Sequence, residues 1–341
     1  MPRLPGVLVA AFIAAAAMLG SLWAPARQAG LGALTLAMFA GLAIANLPGQ
    51  PIASTGRARS GLDFCGGTLL RAGIVLYGLR VSFQDIAAVG LTGALIAVAV
   101  VGMVFGAAMY IGPRWLGLDR RTCALIGAGS AICGAAAVMA TQPVVRGESR
   151  DASVAVATVV GFGTLSMLAF PLAFPLLGMP EHAFGLYLGS TVHEVAQVVA
   201  AGEAISPAVA QIAVIEKMLR VMLLAPFLFF LSYGFPAAAS ATGEATPRPA
   251  LANVPWFAVL FIVVAGINSL RLVPPHITAA LLHVDTFILG MAMAAIGMKT
   301  RLVTVLQAGP RPHVLAGALF TLLLLGGYAI NRIVPLLLIP S

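Results

Sequence analysis

The sequence predicts an all-α, polytopic integral membrane protein with about eleven transmembrane helices, and three observations predict it. Of its 341 residues, 60% are hydrophobic and only 9% are charged, with a mean hydropathy of +1.02. Soluble domains carry roughly 25% charged residues, so this inventory cannot clothe a water-facing surface. The apolar residues also fall into runs of about twenty, the length a helix needs to cross a hydrocarbon core. These runs lack the period-two alternation of a membrane β-barrel.

In chain order the runs are 5–24, 29–47, 62–80, 86–111, 122–141, 152–178, 183–202, 206–233, 253–271, 284–299 and 313–338. The first has the position of a signal peptide. Its leading segment holds only Arg3, however, and its apolar stretch is about twenty residues long, so it is expected to stay as an uncleaved span. Residues 48–61, carrying Arg57 and Arg59, and the Ala/Ser/Thr/Pro-rich residues 234–252 read as the two long connections.

The net charge is +8 and the pI about 10.1, a balance that in a soluble protein suggests nucleic acid. Here the arginines are scattered through short loops, which is the pattern that sets membrane orientation, and no nucleic-acid partner is expected. On the N-terminal side lie Arg3, Arg57, Arg59, Arg114, Arg120, Arg121, Arg248, Lys299, Arg301 and Arg311; opposite lie Arg27, Arg80, Arg146, Arg150, Arg271 and Arg332. Ten against six places the N-terminus in the cytoplasm. Cys65, Cys123 and Cys133 are an odd number without metal-ligand spacing, and read as small packing residues.

With residues 1–28 set aside as an added N-terminal helix, the remaining ten runs divide into 29–178 and 183–338, five each. Both halves carry a Leu-Arg pair in their second run, Leu70-Arg71 and Leu219-Arg220. Both have a short fourth run rich in small residues behind an aspartate, Asp119 or Asp285. Because five is odd, the halves would be inverted copies, a common plan in secondary transporters.

Charged groups inside a span are costly and are therefore candidates for function. Three constellations stand out. The first, 127–136, contains Gly129, Ser130, Cys133 and Gly134 in mid-span. It reads either as a broken helix that offers backbone N–H groups to an anion, or as a small-residue packing face. The second is Ser190, His193, Glu194 and Gln197 in run 183–202. A carboxylate beside an imidazole suits ion coupling, most simply a proton carrier; interhelical hydrogen bonding is the alternative. The segment lacks the second histidine of a zinc helix, so no metal is expected. The third is Glu216-Lys217-Met218-Leu219-Arg220, in which Glu216 and Arg220 at i, i+4 can pair and leave Lys217 uncompensated. With Arg71 added, three cations face two carboxylates, Glu194 and Glu216, and a surplus of positive charge suits an oxyanion. Lys217 snorkelling to the surface is the competing reading.

Five blocks carry a resemblance: Leu76-Tyr77-Gly78-Leu79-Arg80, 129–136, 189–198, Lys217-Met218-Leu219-Arg220-Val221 and Met291-Ala292-Met293-Ala294-Ala295. Over nearly the whole chain the sequence resembles the YeiH-type sulfate exporter family, which is similar to the bile acid:sodium symporter-like superfamily. The resemblance implies a bacterial inner-membrane secondary transporter with two inverted five-helix repeats and two crossed discontinuous helices, here runs 122–141 and 284–299. The family label does not establish what this chain carries.

The expectation is therefore an ion-coupled exporter of small sulfur oxyanions, such as sulfate, sulfite or organosulfonates. Substrate would bind at Gly129, Ser130, Cys133, Gly134, Lys217, Arg220 and Arg71, and coupling would run through Ser190, His193, Glu194 and Gln197. A sodium-coupled organic-anion transporter is the alternative, since carbonyls at helix breaks with Glu194 and Gln197 form an oxygen shell for a hard cation. No cofactor is expected beyond H+ or Na+. The expected partners are a small anionic solute and the lipid bilayer, with a homodimer left open. An intramembrane enzyme built on His193 and Glu194 lacks an identifiable nucleophile-base-orienter set, so the chain is not read as an enzyme.

Overall fold

The computed structural model describes residues 3–23, 32–47, 56–235, 256–300, 303 and 309–338, and among these every regular element is helical. The helices are α1 (Leu4–Gly20), α2 (Ala33–Asn46), α3 (Gly56–Phe64), which continues through a π turn into α4 (Leu70–Tyr77), α5 (Phe83–Trp115), α6 (Arg120–Ala131), α7 (Ala135–Val145) and α8 (Ser149–Leu177). The second half adds α9 (Glu181–Thr191), α10 (Val195–Glu203), α11 (Pro207–Met222), α12 (Leu224–Gly234), α13 (Trp256–Ser269), α14 (Pro275–Lys299) and α15 (Pro310–Leu338). Among the described residues five stretches, 58–80, α5, 150–177, α14 and α15, are long and apolar enough to cross a membrane as single helices. Their outward residues, such as Leu91, Leu172, Leu176 and Leu325, are bare hydrocarbon, as a lipid-facing surface requires.

Local chemistry sets the ends. Ser82 and Asp85 form a capping box at the start of α5, Asp119 accepts from Arg121 N at 2.9 Å to start α6, and Ser206 accepts from Val209 N to start α11. Two packed groups result. One contains α1, α2, α3–α4, α13 and α14; the other contains α5 to α11 and α15, with α12 against α7. In the first group α2 and α14 nearly touch backbone to backbone. A methyl group added at Gly41 would lie 2.3 Å from the Ala294 carbonyl, and one at Gly297 2.3 Å from the Met38 carbonyl.

Runs 122–141 and 183–202 do not pass straight through the bundle. Each is a pair of short helices folded back on itself. In the first, Arg121 at the start donates to the Arg146 carbonyl at the end, at 3.2 Å, and Gly147 packs on Leu125. In the second, Gly185 near the start packs on Val209 and Ile212 while Gly202 near the end packs on Ala210, so both ends sit beside the first turns of α11. The reason is length and a reversing tip. At about 1.5 Å per residue, a helix of 12 residues or fewer reaches at most ~18 Å, well short of a bilayer core of ~30 Å. Gly134, with φ of +72°, lets the first tip turn back. Because α8 runs between the hairpins in one pass, they enter from opposite ends and meet at their tips, Ile132–Cys133–Gly134 and Val192–His193–Glu194.

The break expected in run 122–141 is present, but the two discontinuous elements are hairpins rather than crossing helices. Run 284–299, expected to be the second broken one, lies within the unbroken α14. The second break is in run 183–202, where Val192 and Glu194 have extended backbones. The fold-back also brings Arg146 and Arg150 to the end of the bundle that holds Arg120 and Arg121, away from the side assigned to them by counting spans.

At the other end, one residue ties the two groups together. Arg80 contacts Asp285 and Thr286 of α14, at 3.3 and 2.8 Å, and reaches Glu203 of α10 at 3.5 Å. Its carbonyl accepts from Gln211 of α11 at 2.6 Å. Arg80, Glu203, Gln211 and Thr286 line a cavity of about 430 Å³ with Tyr77, Pro207 and Leu282.

The fold-back makes a testable statement about sidedness. With Cys65, Cys123 and Cys133 replaced, cysteines at the exposed positions Arg120 and Arg150 are expected to react with a membrane-impermeant thiol reagent from the same face. Reaction from opposite faces would mean that run 122–141 crosses.

Candidate functional site

The tips meet around the middle of α11. Glu216, Lys217 and Arg220 are completely buried there, which excludes snorkelling for Lys217. Lys217 and Arg220 are one turn apart and point the same way. Arg220 donates through Nε to the Ala131 carbonyl at 3.0 Å and through Nη2 to the Ser130 carbonyl at 3.1 Å and again to Ala131. Its Nη1 donates to the carbonyls of Ser190 and Gly189. Lys217 Nζ donates to the Ile132 carbonyl at 3.2 Å and to the Val192 carbonyl.

These six acceptors are the terminal carbonyls of α6 and α9, which have no partner within their own helices and form the negative ends of two helix dipoles. Placed tip to tip, the two ends would repel; an ammonium and a guanidinium inserted between them reverse the sign of that interaction. The donors of Lys217 and Arg220 are thereby engaged with backbone. Arg220 does not pair with Glu216 as the i, i+4 spacing allowed.

The opposite, positive helix ends are met by a carboxylate. Glu194 Oε1 accepts from the Ala135 N–H at the start of α7 at 3.1 Å, and Gly134 has no room for a side chain because Glu194 Cγ would lie 2.3 Å from it. Gln197 Oε1 accepts from Glu194 N at 3.2 Å, while its amide donates to Val160 O and Thr164 Oγ1 of α8 at 3.4 and 3.5 Å. Hairpin two is thus pinned to α8 while it caps hairpin one.

The residues singled out in the sequence therefore converge, with one exception. Gly129, Ser130, Cys133 and Gly134 form hairpin one's tip; Ser190, His193, Glu194 and Gln197 form hairpin two's; Lys217 and Arg220 join them. Arg71 is exposed on α4 and makes no polar contact with the cluster. Asn331 of α15 was not foreseen. Its amide donates to Ser190 Oγ at 2.9 Å and to the Gly327 carbonyl at 2.8 Å. An asparagine inside the apolar run 313–338 was the available signal. Several buried polar atoms here have no partner: Ser130 Oγ, Thr191 Oγ1, His193 Nδ1 and Asn331 Oδ1. Buried polar groups are ordinarily paired, so this unpartnered set at two opposed helix breaks marks the tips as the candidate site. Among the described residues no three His, Cys, Asp or Glu side chains gather as a metal site.

Fold and site together define a multi-pass helical membrane protein with a polar centre built from two opposed hairpins. The family model described as Conserved hypothetical protein 698 matches residues 5–316. The chain is 47% identical over 338 residues to the UPF0324 membrane protein PA5383 of Pseudomonas aeruginosa, covering 97% of this chain and 94% of that one. It is 46% identical to the UPF0324 inner membrane protein YeiH of Salmonella typhi and 45% identical to that of Escherichia coli K12, each over 334 residues with the same coverage. The chain belongs to the UPF0324 family of YeiH-type membrane proteins. No solved structure matches it.

Arg220→Ala is expected to leave four buried carbonyls without their donor, at a cost of about 3 kcal/mol or more, and to lower the thermal unfolding midpoint in detergent by several degrees. Arg220→Lys is expected to recover only part of this, because an ammonium cannot span both hairpin ends. Unchanged midpoints in both variants would remove the bridging role.

Proposed function

We propose that this protein is a secondary transporter that moves a small anion across the bacterial inner membrane through the site between the hairpin tips. The observation that carries the proposal is the pair of oppositely directed hairpins meeting at unpartnered polar groups. In a membrane, two opposed re-entrant hairpins support the reading of a binding site at mid-depth, since non-helical backbone at that depth is found where it is buried in protein or lines a cavity.

Nine helical passes and two re-entrant hairpins replace eleven straight spans in this reading. Arg3, Arg59, Arg114, Arg120, Arg121, Arg146, Arg150, Lys299 and Arg311 then share one side, against Arg80, Arg271 and Arg332 among the described residues. Nine against three favours a cytoplasmic N-terminus more strongly than the ten against six read from the runs. We read the halves 29–178 and 183–338 as inverted copies whose elements correspond in rotated order: α2 with α13, α3–α4 with α14, α5 with α15, hairpin with hairpin, and α8 with α11–α12. The contacts support this, since α2 packs on α14 as α13 packs on α4, and α10 packs on α8 as α12 packs on α7. A site between inverted copies is open to either side in turn when one packed group moves against the other.

The substrate would take the place of the Glu194 carboxylate at the start of α7. Ionised Glu194 and an incoming anion compete for the Ala135 N–H, so protonation of Glu194 admits the anion and couples the two. Lys217 and Arg220 hold the surrounding field positive without being ligands themselves. A small sulfur oxyanion is the substrate class to test first, by the family resemblance. A sodium-coupled organic-anion transporter is the second reading, supported by the buried, unpartnered hydroxyl oxygens of Ser130 and Thr191 on the two hairpins.

In proteoliposomes, sulfate or sulfonate flux is expected to rise as pH falls. Glu194→Gln is expected to keep the flux and lose its pH dependence. Flux that follows a sodium gradient at constant pH would favour the second reading, and no anion flux under any gradient would end the proposal. On the outer side, Arg80→Ala is expected to speed exchange or shift the resting state, read as increased labelling of a cysteine placed at Gln211.

A further inference from the structure

Glu216 lies outside the tip-to-tip contact, one turn before Arg220, on the face of α11 that meets α5 and α9. It is completely buried, and neither carboxyl oxygen has a hydrogen-bond partner. The space around it is made by two glycines: a methyl group at Gly93 of α5 would lie 2.5 Å from Glu216 Oε2, and one at Gly189 of α9 would lie 2.8 Å from Glu216 Cβ. Val89 of α5 and Leu219 of α11 also reach Gly93, on the carboxyl side.

The charged groups near Glu216 are Lys217 and Arg220 of its own helix, and both are turned onto hairpin carbonyls. Among the described residues no other titratable group faces it; Cys133 and His193 of the hairpin tips lie toward Lys217 and Arg220 instead. On α5 the ionisable side chains are Asp85, Tyr110 and Arg114, away from Gly93; on α9 they are Glu181, His182 and Tyr187; on α10, only the terminal Glu203 and the preceding cap Glu194; on α12, only Tyr233; on α13, none. An ionised carboxylate in this setting would be a buried charge with no hydrogen bond, costing several kcal/mol or more.

We infer that Glu216 is a second proton-binding site, separate from Glu194. It is a neutral carboxylic acid while α9 lies against α5, and an acid that gives its proton to water when hairpin two is displaced and the carboxyl is exposed. The displacement rests on the transport reading; the bound proton does not. A group with no partner in one state and access to water in another binds a proton in the first and releases it in the second, which links protonation to hairpin position.

The test is infrared difference spectroscopy of the purified, folded protein as pH is raised. The expected result is a protonated-carboxyl C=O band that bleaches reversibly at alkaline pH while circular dichroism stays constant. The band is lost in Glu216→Gln, shifted in frequency in Glu216→Asp, and kept in Glu194→Gln. The aspartate variant keeps the assignment testable if the glutamine variant does not accumulate. Absence of any Glu216-dependent band, or a band that persists until the protein unfolds, would overturn the inference. Neither outcome depends on anion flux, so failure of the transport reading would be seen separately in the liposome assay.

Discussion

The structure depends on one electrostatic constraint: two helix C-termini are brought together inside an apolar bundle, and something positive must lie between them. α11 supplies it with Lys217 and Arg220, whose donors take carbonyls from Ser130 to Ile132 on one hairpin and from Gly189 to Val192 on the other. The cost of burying these cations is offset by satisfying carbonyls that would otherwise be unmade in a dry interior. Because one helix holds both hairpins, a movement of α11 reaches both tips at once.

The same arrangement sorts the polar residues by task. The negative helix ends are closed by the long basic side chains of Lys217 and Arg220, whereas a positive end, at Ala135, is closed by the carboxyl of Glu194. A guanidinium, which keeps its charge, suits a scaffold, and a titratable carboxyl suits a switch. The centre is therefore chemically asymmetric although two similar hairpins build it, and the proposed anion path lies on the Glu194 side.

Much of this was legible in the residues. The apolar runs coincide with helices where the structure describes them, and the glycines of 127–136 marked a break that is present. Direction was not legible. A twenty-residue apolar run satisfies hydropathy equally as one crossing helix or as two half-length helices folded back, because hydropathy counts residues and not their path. The second break was placed in run 284–299 by the family resemblance, matched to a repeat that paired the two short runs behind Asp119 and Asp285, whereas Asp285 is held by Arg80 in an unbroken helix. A better signal was in the chain. Gly129-Ser130-Ala131-Ile132 recurs sixty positions later as Gly189-Ser190-Thr191-Val192. Val154-Ala155, Met167-Leu168 and Pro171 of α8 recur fifty-five positions later as Val209-Ala210, Met222-Leu223 and Pro226 of α11–α12. That repeat joins hairpin to hairpin. The roles of Lys217 and Arg220 could not be read from spacing, since their partners are backbone carbonyls that carry no side-chain signature.

The central claim is that the space between the hairpin tips receives an anion. Density for selenate, an electron-rich stand-in for sulfate, tests it most directly in an experimental structure of the purified protein. The account predicts selenate at the start of α7, against the Ala135 N–H, with the Glu194 carboxyl swung away. Selenate bound elsewhere while Glu194 still caps Ala135 would contradict it.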